Sequence, residues 1–381
     1  MSATNRGHRP SRPLWLLLLA ACSSSTSGAS SSTGPTGRDV STMFVGGDIS
    51  ALTRIEQAGG VFHDSGPPED AIALLRKYGS NTFRLRLFVN PNDSDVVVND
   101  LPYTLALAAR VKAAGAKLEL DFHYSDTWAD PGHQTPPAAW SGLSFDSLAA
   151  QVERYTAGVI AQLKHQGTLP DIVQIGNEID AGMLWPTGQV GGSYDTPTQW
   201  DQFTKLLKAG IQGVRDSLGP SDTVRIMLHY SGGGSSGGTQ WFFDHMSSYG
   251  VPFDYIGLSY YPWWHGSIAD LRANLTATAQ RYGKDIIVIE TSYPWRAGGW
   301  ESMVVDTFAM VWGATPSGQR QFLSDLLSVV RTTEGNHGAG VIWWYPEAIP
   351  VSGLFVWGGG SLALFDTTGK VLPAASVFNT K

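Results

Sequence analysis

Ile-Gly-Asn-Glu-Ile at 175–179 and Ile-Val-Ile-Glu-Thr at 287–291 each carry a short apolar run up to a single glutamate. Short runs of this kind read as strands buried on both faces. A carboxylate at the end of such a strand is costly to bury unless it is paired or put to use. If both strands belong to one parallel barrel, their C-terminal ends open on the same mouth. Glu178 and Glu290 then converge where a substrate would sit.

Outward from these two stretches the same unit recurs, an apolar strand followed by a helical pattern. Strands are expected at 43–48, 81–88, 117–122, 171–177, 223–229, 253–260, 285–290 and 340–345. Helical spacing is expected at 68–78, 103–114, 144–166, 198–218, 240–249, 268–282 and 317–332. Gly115, Gly167 and the Gly219-Pro220 pair supply stops between units. Eight strand-then-helix units with no hairpin signal between them indicate a parallel sheet covered by helices. Eight is the closure number of the (β/α)8 TIM barrel. An open doubly wound sheet would usually show a Gly-rich phosphate loop after its first strand, and Gly46-Gly47-Asp48 is not one. A single catalytic domain is therefore expected over 39–381.

The chain has 381 residues, is 42% hydrophobic and 15% charged, and carries a net charge of −7. That balance argues against nucleic acid or an anionic membrane as the main partner. Fourteen tryptophans, most of them beyond residue 130, offer flat faces suited to stacking on sugar rings, although about half of such residues ordinarily serve the core.

The first 38 residues read as export and tether rather than fold. Arg6, His8, Arg9 and Arg12 precede an apolar stretch from Leu14 to Ala21, too short to span a bilayer and typical of a signal peptide. Leu19-Ala20-Ala21-Cys22 resembles the lipobox of bacterial lipoproteins, where the thiol is acylated. Cys22 is the only cysteine, which an ordinary secretory signal would leave unexplained. Residues 1–21 are thus expected to be a lipoprotein signal and 22–38 a lipid-anchored Ser/Gly-rich tether. The protein is expected to be exported and membrane-held through Cys22, at the outer membrane or cell surface, or secreted if the lipobox is unused.

Chemistry in such a barrel sits at the C-terminal ends of strands, and here those ends are polar. They carry Arg84 and Arg86, Glu119 to Asp126, Asn177-Glu178, His229-Tyr230, Ser259-Tyr260-Tyr261, Glu290 and Trp343-Trp344-Tyr345. Glu178 follows Asn177, whose amide suits a sugar hydroxyl. An acid/base needs a raised pKa, so Glu178 should be the less cation-supported carboxylate. Glu290 would be the nucleophile, held ionised by Arg86 and oriented by Tyr260 or Tyr261. His123, Tyr124, Ser125, Asp126 and Trp128 lie in one polar-aromatic loop, and Trp264 and Trp344 end other strands. Together with His229 they complete the expected substrate-binding set. No His/Cys/Asp spacing resembles a zinc or EF-hand site, so neither metal nor cofactor is expected in catalysis. Gly232–Gly238 lacks the Lys-Ser/Thr of a phosphate loop and reads as a connection.

Four blocks, 120–131, 174–179, 256–265 and 288–291, resemble in order the signature blocks of glycoside hydrolase family 53, and the resemblance spans about residues 40–350. That family comprises retaining endo-β-1,4-galactanases acting on galactan side chains of pectin. The resemblance implies the (β/α)8 fold, Glu178 as acid/base, Glu290 as nucleophile and β-1,4-galactan as substrate, here for an expected monomer. Bacterial relatives often hold a structural calcium in the late loops. The segment 293–316 has few acids beyond Glu301 and Asp306, which argues against calcium here. A mannanase, xylanase or cellulase of the same barrel clan is the nearest alternative, since the two glutamates are common to all. A glycan-binding lipoprotein that does not cleave is a second, although a pure binder has no need of both carboxylates.

Overall fold

The computed structural model describes residues 37–304, 307 and 309–379. The expected signal peptide and Cys22 lie outside the described residues. From Gly37 the chain forms one compact unit. Arg38 already belongs to it, through an ion pair with Asp285 at 2.9 Å.

Eight parallel strands close a barrel: β1 (Phe44–Asp48), β2 (Thr82–Leu87), β3 (Lys117–Phe122), β4 (Ile172–Ile175), β5 (Arg225–Tyr230), β6 (Tyr255–Ser259), β7 (Asp285–Thr291) and β8 (Gly338–Trp344). Each strand pairs with its neighbours in sequence, and β1 pairs with β8 to close the sheet. The helices are α1 (Leu52–Gln57), α2 (Ala71–Lys77), α3 (Leu101–Ala113), α4 (Phe145–His165), α5 (Pro197–Asp216), α6 (Ser236–Ser248), α7 (Pro262–His265), α8 (Ile268–Tyr282) and α9 (Pro316–Arg331). The expected (β/α)8 barrel is the observed fold.

Local chemistry sets the ends of the helices. Ser144 accepts from the Ser147 amide to start α4, and Thr196 with Pro197 starts α5. A reciprocal Ser267–Asp270 box opens α8, and Gly283, at φ +56°, closes it in the left-handed conformation. Helix α2 begins three residues later than the Pro68 start expected, because Asp70 is the residue that caps it, on the Ala73 amide. Helix α1 and a two-stranded hairpin of Gly182–Met183 with Gly188–Gln189 were not expected from the pattern. Both are too short to show periodicity.

Alternation along the strands sorts two cores. The outward residues of the strands join the helices in one continuous apolar cluster. A second, small cluster has its buried members, Ile172, Met227, Ile287, Ile289, Ala339 and Ile342, on β4, β5, β7 and β8, with Phe44 of β1 and Tyr255 of β6 packed against it. On β1 to β3 the corresponding layer is charged: Asp48, Arg84, Arg86, Glu119 and Asp121 are all fully buried. The barrel interior is therefore apolar on one side and ionic on the other, and the ionic side lies under the mouth.

The barrel wall leaves no room for a side chain at Gly46, where β1 meets β2. A Cβ at Gly46 would collide with the Thr82 backbone carbonyl, whereas one at Gly158, on the exposed face of α4, meets open space. Gly46→Ala is expected to cost about 2 kcal/mol or more by urea unfolding, as overpacking against backbone does. Gly158→Ala should gain about 0.5–1 kcal/mol. Equal effects at the two positions would contradict this account of closure.

Candidate active site

Glu290 faces the barrel mouth because of an irregularity in β7. Leu258 pairs with Val288 and Ser259 with Glu290, while on the other side Val341 pairs with Val288 and Trp343 with Thr291. β7 thus holds one residue more than either neighbour over this stretch, a bulge of the kind that re-aims a side chain. Ile287 and Ile289 belong to the interior cluster, so strict alternation would have sent Glu290 outward.

Once inside, Glu290 is 5% exposed and doubly held. Arg84 Nη1 donates to its Oε1 at 2.8 Å and the Tyr261 hydroxyl to its Oε2 at 3.2 Å. The same guanidinium pairs with Asp121 at 2.8 Å, Asp48 at 3.2 Å and Glu119 at 3.3 Å. It also donates to Asn177 Oδ1 at 2.7 Å and Gln174 Oε1 at 3.3 Å. Burial opposes ionisation of Asp121, yet Arg84 and His123 hold its carboxyl below the usual range. Burial pushes the Glu119 carboxyl well above its ordinary value despite Arg84, which favours its neutral form. Burial lifts Glu290 to about 7, with Arg84 pulling it back.

Glu178 reaches the same mouth from a tight turn after β4. Gly176 has φ +82° and Glu178 itself φ +44°, a strained value for a side-chain-bearing residue and one that clusters at functional sites. Its Oε1 accepts from Ser259 Oγ at 2.6 Å, and no cation pairs with it among the described residues. Burial and the negative charge of Glu290 push its pKa well above the ordinary value. The two carboxyls therefore sit in opposite settings. One is gripped by a cation and a phenol, and the other is left proton-loving.

Both open on a cleft of roughly 510 Å³, walled by Trp128, Trp264, Trp344, Tyr345, Phe355 and Trp357 among others. Trp264 is 43% and Phe355 69% exposed, large apolar faces left open to solvent. Such walls with a few convergent polar groups suit a sugar ring.

The expected site residues divide into those at the cleft and those behind it. Glu178, Glu290, Asn177, Trp128, Tyr261, Trp264 and Trp344 line it. His229 lies just beneath, with Nε2 at 2.9 Å from Ser259 Oγ. The expectation for Arg86 is corrected: Arg84 is the cation on Glu290. Arg84 sits one pleat deeper and its stem climbs to the mouth, whereas the Arg86 guanidinium is drawn aside over Trp128 and Tyr345, 4.5 and 4.9 Å from their rings. It braces a cleft wall instead. Tyr260 turns away and donates to the Gly266 carbonyl, which leaves Tyr261 as the tyrosine on Glu290. Tyr124 is packed behind the barrel against Thr156. His123 is buried, with Nε2 3.0 Å from Asp121 and Nδ1 accepting from the Ala129 amide. Ser125 and Asp126 shape the loop, Asp126 accepting from the Asn90 and Ala138 amides. Ser259, Gln174 and Asp121 were not among the expected site residues. Only inward parity on their strands could have pointed to them.

No group of three His, Cys, Asp or Glu able to hold a metal occurs among the described residues. The Glu301 carboxylate is taken by the Gly298 and Trp300 amides, and Asp306 lies outside the described residues.

A parallel eight-stranded barrel with two glutamates at the ends of its fourth and seventh strands, opening on an aromatic cleft, is the architecture of a glycosidase. The model of glycosyl hydrolase family 53 matches residues 44–378, and the chain belongs to that family. It is 42% identical over 345 residues to an uncharacterised protein of Niallia circulans, covering 88% of this chain and 93% of that one. It is 34% identical to the arabinogalactan endo-β-1,4-galactanase of Thermothelomyces thermophilus, over 88% of this chain and 98% of the relative. Among solved structures, the GH53 catalytic domain of Ignisphaera aggregans superposes with a TM-score of 0.82 at 33% identity, covering 90% of this chain and 97% of that one.

The buried Glu290 gives a pH-dependent stability with a definite sign. Its pKa rises from 4.5 in the unfolded chain to about 7 in the fold, so its contribution is fully present below pH 4.5 and lost as pH rises through about 7. Glu290→Gln removes that loss. Relative to wild type, the variant should gain on the order of 2 kcal/mol of unfolding free energy between pH 4.5 and pH 8. Urea titrations at both pH values check this, and an unchanged difference would contradict it.

Proposed function

We propose that the protein is a retaining endo-β-1,4-galactanase that hydrolyses the galactan side chains of pectin. The observation that carries the mechanism is the asymmetry between the two carboxyls: Arg84 and Tyr261 hold Glu290, and among the described residues Ser259 is the one donor to the carboxyl of Glu178. Glu290 attacks the anomeric carbon while Glu178 gives its proton to the departing glycosidic oxygen, and the carbon–oxygen bond breaks. Glu178, now a carboxylate, takes a proton from water as the water oxygen attacks the same carbon and Glu290 leaves. Two inversions give net retention.

Arg84 pulls the Glu290 pKa down against burial and so favours the anion that attacks in the first step, and among the described residues no cation stands near Glu178 to displace its proton. The aromatic cleft suits a neutral polysaccharide, and the names of the relatives supply galactan as the substrate class. The reading includes a monomeric protein, exported and lipid-anchored through Cys22.

Reducing-end release from potato galactan, compared with mannan and xylan, tests the substrate, with release from galactan alone expected. Glu290→Gln should abolish turnover, and azide should rescue Glu290→Gly with formation of the inverted galactosyl azide. Release from mannan or xylan but not galactan, or full activity of Glu290→Gln, would overturn the reading. Separately, wild-type protein should need detergent for extraction and Cys22→Ala should not. A freely soluble wild type would contradict the anchor.

A further inference from the structure

The glutamate read as acid/base is joined to a buried relay. Ser259 Oγ lies 2.6 Å from Glu178 Oε1 and 2.9 Å from His229 Nε2, and both Ser259 and His229 are fully buried. A serine has one proton to give, so what His229 does decides where it goes. The His229 Nδ1 is faced by two donors, the Glu178 amide at 3.4 Å and Gln174 Nε2 at 3.2 Å. One acceptor, Asn177 Oδ1, also lies 3.1 Å away, but its two lone pairs already face Arg84 at 2.7 Å and Gln174 Nε2 at 3.1 Å. Gln174 Nε2 has two protons, one for Asp121 Oδ1 at 2.6 Å and one shared among the Gly176 carbonyl at 3.0 Å, Asn177 Oδ1 at 3.1 Å and His229, so the partner that fixes Nδ1 is the Glu178 backbone N–H, which can only donate. Nδ1 is therefore an acceptor, and the imidazole proton sits on Nε2. It donates to Ser259, which leaves the serine's own proton free for Glu178 Oε1, 2.6 Å away.

We propose that Ser259, fixed by His229, is a positioning residue that confines the catalytic proton of Glu178 to Oε2, the oxygen that makes no hydrogen bond to a described residue. The proposal rests on Glu178 being the acid/base. With Oε1 occupied as an acceptor, the acid is presented by the oxygen left for the glycosidic bond. When Glu178 becomes a carboxylate, the Ser259 hydroxyl remains as its one protein donor among the described residues and stabilises the negative charge.

The surrounding charges leave this role to Ser259. Glu178 is faced by Glu290 on β7, Tyr261 after β6, Asp180 on its own turn and Asp130 after β3, none of which is a cation. Around His229 lie Arg84 on β2, Asp121 on β3, His123 just after it, and His265 on α7. Burial and Arg84 hold the His229 imidazole far below its ordinary range, so it remains neutral through the working pH. The relay contributes orientation and a dipole, and it carries no formal charge.

The test is Ser259→Ala in the full enzyme, with melting temperature measured alongside. Loss of the donor should move the basic limb of kcat/KM on galactan to higher pH by about one unit or more, the size of a hydrogen bond to a charged acceptor. The kcat/KM on galactan should fall about tenfold or more, while that on 2,4-dinitrophenyl β-galactobioside, whose leaving group needs no proton, should stay within about threefold. Ser259→Cys, a weaker donor of similar volume, should fall between. In a Glu178→Gln background Ser259→Ala should add little, because the two act as one unit. An unmoved limb in both Ser259 variants, or an equal loss on both substrates, would overturn the proposal. Undiminished galactan cleavage by Glu178→Gln would instead refute the acid/base reading on which it stands.

Discussion

One guanidinium organises this active site. Arg84 is fully buried and within ion-pairing distance of Asp48, Glu119, Asp121 and Glu290. An isolated charge in such a place costs several kcal/mol, and it persists here because the partners are many and well placed. Their charges are divided unequally. Arg84 holds the Asp121 carboxyl below its ordinary range, burial pushes that of Glu119 well above it, and Glu290 stands between them. That division makes a low-lying cation available to a carboxylate at the mouth without stacking several full negative charges beside it. The same Arg84 donates to Asn177 and Gln174 and so steadies the turn that carries Glu178.

The barrel supplies what this arrangement needs. Apolar inward residues on β4, β5, β7 and β8 form an apolar floor, while β1 to β3 carry the ionic layer. The bulge in β7 brings Glu290 from the outward to the inward face, and a left-handed backbone at Glu178 brings the second carboxyl over the mouth. Both are local departures from ideal geometry at positions where function requires a side chain to be aimed. Arg86, one pleat above Arg84, braces Trp128 and Tyr345, so the aromatic wall is tied to the ionic layer.

Much of this is legible in the chain. β3 and α8 occupy the residues expected of them, because apolar alternation and strong caps leave one solution. β4 ends at Ile175, two residues short of expectation, because Gly176 leaves the strand at positive φ. The barrel and the positions of Glu178 and Glu290 on it follow from the repeat of strand and helix. The choice between Arg84 and Arg86 does not, since both share a face and only the length and path of each stem decides which reaches Glu290. The choice between Tyr260 and Tyr261 depends on where β6 ends, a one-residue matter. Ser259 gives no signal of its own, because a small hydroxyl at a strand end is ordinary until a carboxylate is found 2.6 Å away. The Cys22 anchor is a sequence argument alone, since that segment lies outside the described residues.

The central claim is that the Arg84–Tyr261 grip makes Glu290 the nucleophile and leaves Glu178 as the acid. The most direct measurement is peptide mass spectrometry of the enzyme after inactivation with 2,4-dinitrophenyl 2-deoxy-2-fluoro-β-galactobioside, which stalls a covalent glycosyl intermediate. The account predicts a single adduct on the peptide carrying Glu290. An adduct on Glu178, or turnover with an inverted product and no adduct at all, would contradict it.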